Sequence, residues 1–129
     1  MKAADTNIIV RAITGDDAVQ TPIALAIIDA GILLPVTIVM ETEWVLRSWY
    51  KYKRADIAAA ILDIIDSETV TTPDEAAIRW ALTRYAAGAD LADMLHLTRS
   101  RRADAFVTFD QALAAEAGPT APVIIEIAA

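Results

Sequence analysis

Cysteine is absent from the 129 residues. That excludes a disulfide framework, a thiolate metal site and a cysteine nucleophile. Glycine is scarce: Gly15, Gly31, Gly88 and Gly118 stand alone, each where a helix should end or a turn should fall. No Gly-rich phosphate loop or Walker motif can be built from them. The single histidine, His96, belongs to no recognisable Ser/His/Asp arrangement. Bases number 11 against 18 acids, a formal net charge of −7. At first sight this argues against nucleic acid as a partner, because backbone binders are usually basic. A long apolar run is missing too. The greasiest stretch, Ile23 to Met40, is interrupted by Asp29, Gly31 and Pro35 and falls short of a membrane span. Asp5 stands where a signal peptide would need apolar residues. A cytoplasmic protein without a membrane partner is expected.

What is present is apolar: 56% of the residues. The length fits one domain, residues 1–129, able to bury roughly two-thirds of its unfolded surface. Helical periodicity dominates. Ile57, Ala60, Ile61, Ile64 and Ile65 mark one buried face of a helix over 54–66. Thr72-Pro73-Asp74-Glu75 reads as a helix start, with Thr72 as cap and Glu75 completing a capping box. That helix should reach about Ala87. Others are predicted over 90–101 and 111–116, from Thr21-Pro22 to Gly31, and over 38–52. Short apolar runs lie between them, at 2–4, 32–34, 69–71, 105–108 and 123–127. Strands alternating with helices predict an α/β fold around a parallel sheet of four or five strands. Ligands of such sheets bind at the carboxyl ends of strands.

Two acids stand directly after predicted strands, Asp5 and Asp110. Glu41 lies early in the helix after the second strand, and Asp90 and Asp93 open a later helix at i, i+3 spacing. Each has a plainer role available: Asp90 and Asp110 can cap helices, and Glu41 or its neighbour Glu43 can simply be solvated. Asp5, between a strand and the apolar Ile8-Ile9-Val10, is expected to be partly buried and to need a partner. Converging carboxylates repel one another and call for a cation. Oxygen-only ligands suit Mg²⁺ or Mn²⁺ rather than zinc. Such a site activates water against a phosphate ester.

The order Asp5-Thr6-Asn7, Glu41 before Trp44-Val45-Leu46-Arg47, Asp90-Leu91-Ala92-Asp93 and Val107-Thr108-Phe109-Asp110 resembles a PIN-domain ribonuclease. More narrowly it resembles the VapC toxins of type II toxin–antitoxin systems. The likeness covers nearly the whole chain. It implies a Rossmann-like three-layer α/β/α fold and an acidic quartet at Asp5, Glu41, Asp93 and Asp110, with Asp90 as a further candidate metal ligand. Thr6, Asn7 and Thr108 match polar positions that support the acids. The implied activity is endonucleolytic cleavage of RNA with Mg²⁺, or Mn²⁺ in its place. A homodimer held in check by a cognate VapB-like antitoxin is also implied.

The bases fall in two clusters. Arg47, Lys51, Lys53 and Arg54 are candidate RNA contacts, and Arg99, Arg101 and Arg102 form a second group. Trp44, Trp49 and Trp80 read as core or interface rather than as base-stacking platforms. Residues 49–53 mix aromatic and basic groups and suit contacts to an antitoxin or a second copy. Two other functions fit the pattern less well. An inactive PIN-like interaction module would not need the full acid set. A phospho-acceptor receiver domain needs an Asp ending a central strand, whereas Asp56, Asp63 and Asp66 fall on a predicted helix.

Overall fold

Asp5 makes the first decision of the chain. Lys2–Ala3 form strand β1, and Asp5 then turns the backbone into helix α1, Thr6–Thr14. Its carboxylate accepts the Thr6 N–H at 2.8 Å, a charge the helix dipole favours at this end. The apolar Ile8-Ile9-Val10, unassigned in the sequence, lies inside α1 and buries Ile9 and Val10. Asp5 itself is exposed, contrary to the expectation of partial burial. The cap satisfies it at the surface, so no buried partner is required. The computed structural model describes residues 1–129 and divides into two units, Met1–Glu75 and Ala76–Ala129.

In the first unit, α2 (Gln20–Asp29) leads to β2 (Ile32–Leu33), α3 (Val36–Ser48), α4 (Arg54–Asp66) and β3 (Val70–Thr71). Asp17, not Thr21, supplies the cap of α2: its Oδ1 accepts the N–H groups of Val19 and Gln20 at 2.9 and 2.7 Å. The strands pair in parallel in the order β1-β2-β3, with Lys2 opposite Ile32 and Ile32 opposite Val70. α4 matches its expected span, and Ile57, Ala58, Ile61 and Ile65 are its buried residues. α3 ends earlier than residue 52. Lys51 adopts φ 58, and the Tyr52 N–H reaches back to the Leu46 carbonyl at 3.0 Å. This is a left-handed helix stop made without glycine, so no sequence signal announces it.

The second unit holds α5 (Glu75–Ala86), α6 (Leu91–Thr98), β4 (Phe106–Thr108), α7 (Leu113–Ala117) and β5 (Ile125–Ile127). The capping box expected at Thr72 does not form. Asp74 takes φ 59, so the helix begins only at Glu75, and the Thr72 hydroxyl is buried without a hydrogen-bond partner. α6 and α7 are also shorter than expected. β4 and β5 pair in parallel, Phe106 opposite Ile125 and Thr108 opposite Ile127. Ile78, Leu82 and Tyr85 of α5 and Leu91, Met94 and Leu95 of α6 are buried. The fold is therefore α/β with parallel strands. Its five strands divide into a three-stranded and a two-stranded sheet.

Gly118 ends α7 at φ 74, ψ −171, a region open almost solely to glycine. A Cβ there would lie 3.1 Å from the Arg84 guanidinium carbon. Arg84 is held in place by its own bond, Nε donating to the Glu116 carbonyl at 2.8 Å. Gly118→Ala is expected to cost about 1–3 kcal/mol, read as a lower midpoint in urea denaturation. An unchanged midpoint would show that the turn relaxes freely.

Candidate active site

In the first unit, the carboxyl ends of β1 and β2 lead to Asp5 and into α3. Thr6, buried at the start of α1, donates its hydroxyl to Glu41 Oε1. Asp5, Thr6 and Glu41 line one end of a cleft of about 550 Å³, and Asn7 lines it too. Glu43 does not share this place. It is buried on the other side of the helix turn and binds Arg47, with Nε donating at 2.7 Å. Spacing to Trp44-Val45-Leu46-Arg47 favoured Glu41 over Glu43, and it is Glu41 that the Thr6 hydroxyl bonds.

In the second unit, a carboxylate oxygen from each of Asp93, Asp110 and Glu116 lies within 4.8 Å of the others. Asp93 comes from the first turn of α6, Asp110 follows β4, and Glu116 is carried by α7. Burial pushes the Asp93 carboxyl above its ordinary pKa. The charges of Asp90 and Asp110 push the same way, and His96 opposes them. Asp90 serves as N-cap of α6, accepting the Asp93 N–H at 2.9 Å, and lies outside the trio. Asp110 is positioned locally: its N–H donates to Thr108 Oγ1 at 3.0 Å, and its Oδ1 accepts from the Ala112 N–H at 2.9 Å. His96 is exposed on α6.

Three converging carboxylates, one of them with a raised proton affinity, fit a hard divalent cation. Two ligands on opposite sides of Mg²⁺ sit about 4.2 Å apart, so small movements would close the trio around one ion. Glu116 was not a candidate from the sequence. Its only signal was its place in the helix after Asp110. It joins the trio because α7 starts at Leu113, which sets the face on which position 116 falls.

Of the candidate RNA contacts, Arg47 is committed to Glu43, and Lys51 and Lys53 are exposed around the turn between α3 and α4. Arg54 is half-buried at the start of α4. Trp49, expected in a core or interface, is 74% exposed and forms part of the cleft wall with Tyr50 and Arg11. Trp80 is tied down, its Nε1 donating to Thr120 Oγ1 at 3.0 Å. Asp56, Asp63 and Asp66 all lie on α4, so none ends a strand as a receiver domain requires.

A family model described as the PIN domain matches residues 3–118. The chain belongs to the PIN domain family. Proteins of this family are generally nucleases, hydrolases of phosphodiester bonds, and typically use a divalent metal. No curated protein and no solved structure matches the chain. No helix is long and apolar enough to cross a membrane.

Proposed function

We propose that the protein is a VapC-type endoribonuclease, the toxin of a toxin–antitoxin pair. It would hydrolyse RNA phosphodiester bonds with Mg²⁺, and Mn²⁺ would substitute. The observation that supports this most directly is the trio Asp93, Asp110 and Glu116 in a PIN-domain chain. Asp5, Glu41, Asp93 and Asp110 are the acids proposed for the reaction. Thr6, Asn7 and Thr108 support them, and Asp90 acts through the helix start beside Asp93. The same proposal takes 1–129 as one PIN domain acting in the cytoplasm as a homodimer, restrained by a small cognate antitoxin.

A divalent cation supplies charge neutralisation on the phosphate and acidity to an attacking water. Asp93, Asp110 and Glu116 are the residues that would hold it. The chain's other groups act by placement. Thr6 donates a hydrogen bond to Glu41 Oε1 and so fixes the orientation of that carboxylate. Thr108 fixes the backbone at Asp110. Removing the Thr6 hydroxyl is expected to slow cleavage by about 10-fold or more, the usual effect of losing an orienting partner. Single-turnover rates of Thr6→Val and Thr6→Ser would check it: Ser keeps the rate, Val loses it.

The test of the activity is direct. Purified protein should cleave structured RNA with Mg²⁺ or Mn²⁺ and stop with EDTA, and Asp5→Asn should abolish cleavage. Equal cleavage by wild type and variant would mean a contaminating nuclease. Absence of both cleavage and Mn²⁺ binding would leave an interaction module. For the toxin role, expression should arrest growth, and a small protein encoded just upstream should relieve the arrest.

A further inference from the structure

The cleft lined by Asp5 and Glu41 also carries aromatic and basic groups that nuclease chemistry alone does not require. Trp49 stands there 74% exposed, just beyond α3. An indole left in water on a cleft wall forgoes burial energy that a stacked partner would restore. Beside it, the Arg11 guanidinium is held on two sides by neutral groups. Its Nε donates to Gln20 Oε1 at 2.8 Å and its Nη1 to the Tyr50 hydroxyl at 3.1 Å. Asp16 approaches Nη1 only at 3.8 Å. Gln20, Tyr50 and this ion pair with Asp16 orient the cation, and all three use Nε or Nη1, which leaves Nη2 to donate. The turn carrying the aromatics is fixed by Lys51 in its left-handed conformation and by edge-to-face packing of Tyr50 on Tyr52, ring centres 6.1 Å apart.

One cleft thus offers carboxylates, a flat apolar face and a pre-oriented guanidinium. A nucleotide presents the matching groups: a phosphate for the guanidinium and a base for the indole. We infer that this cleft is a nucleotide subsite, in which Trp49 stacks one unpaired base of the substrate and Arg11 holds an adjacent phosphate. The inference rests on the ribonuclease reading and adds to it the requirement for an unpaired base. A duplex keeps its bases stacked on one another and cannot offer one.

The experiment uses a short fluorescein-labelled single-stranded RNA, bound in Ca²⁺ so that cleavage does not intervene, and a series in which each nucleotide in turn is abasic. Trp49→Ala should weaken binding of the intact RNA about 5- to 100-fold, the range measured for base–aromatic stacks. Trp49→Phe should restore most of it, and Trp44→Ala, on α3 outside the cleft, should change nothing. One abasic position should weaken wild type by a similar factor and have no effect on Trp49→Ala. Arg11→Gln should reduce the salt slope of binding by about one. Equal affinity of wild type and Trp49→Ala, or an equal loss at every abasic position, would overturn the subsite. So would normal RNA binding by Trp49→Ala with lost affinity for a protein partner, which would assign the cleft to a polypeptide. These results differ from failure of the ribonuclease reading, in which wild type itself neither binds nor cleaves RNA.

Discussion

Asp93→Asn is expected to lower metal-supported RNA cleavage by about 10²–10³-fold, comparable to removing one pre-organised hydrogen-bond donor from a transition state. Asparagine preserves the size and much of the hydrogen bonding of aspartate, so a folded protein with a lost charge is being measured. Asp110→Asn should behave alike, since both carboxylates belong to one trio. The double variant is the sharper observation. Two ligands of one ion act as a unit, so the combined loss should barely exceed the larger single loss. Fully multiplicative losses in single-turnover assays would show that the two acids have separate roles. Asp90→Asn offers a contrast. Asn caps helices about as well as Asp, so α6 should survive, and any loss of rate would come from charge near Asp93.

The second large effect is on stability. At a free concentration a thousandfold above Kd, a metal that binds only the folded chain adds about 4 kcal/mol. For a chain of this size that corresponds to a rise of about 10–20 °C in Tm. Asp93→Asn should lose most of this response. Without metal the order reverses at neutral pH. The folded-state pKa of Asp93 is raised by burial and by the charges of Asp90 and Asp110. The fold therefore binds this proton more tightly than the unfolded chain does. Its stabilising contribution is present at low pH and is lost as pH rises through the raised value. Metal-free Asp93→Asn should consequently melt above wild type at pH 7, and the gap should close below the ordinary aspartate range. Thermal melts in EDTA across pH check the sign; a gap that widened in acid would contradict it.

These effects depend on residues that the sequence revealed unequally. Asp93 and Asp110 were legible because each follows a recognisable boundary, a capped helix start or the end of an apolar strand. Glu41 was preferred to Glu43 from its distance to Trp44-Val45-Leu46-Arg47, but what orients its carboxylate was not legible. That orientation depends on a hydroxyl thirty-five residues away in sequence, Thr6, and periodicity is silent about such contacts. The candidacy of Glu116 and the exposed place of Trp49 on the cleft wall were not legible, for one reason. Each owes its position to where a helix starts or stops: α7 at Leu113, and α3 before a left-handed lysine. Non-glycine stops leave no composition signal. At Thr72 the opposite happened, when the agreeing cap signals of Thr72, Pro73 and Glu75 yielded to a left-handed Asp74. The division of five strands between two sheets likewise follows from pairing, which alternation along one strand does not encode.

The turn at Gly118 has a genetic consequence. Its backbone angles are almost closed to side chains, and a Cβ there would crowd the Arg84 guanidinium. Every amino acid reachable from a glycine codon by one base change carries that Cβ. Two residues before the turn stands Glu116, whose carbonyl Arg84 holds. A missense mutation at this codon, far from any charged group in chemical character, would therefore reach the acidic trio through the backbone, and drift at position 118 would be filtered as though the glycine were itself part of the chemistry.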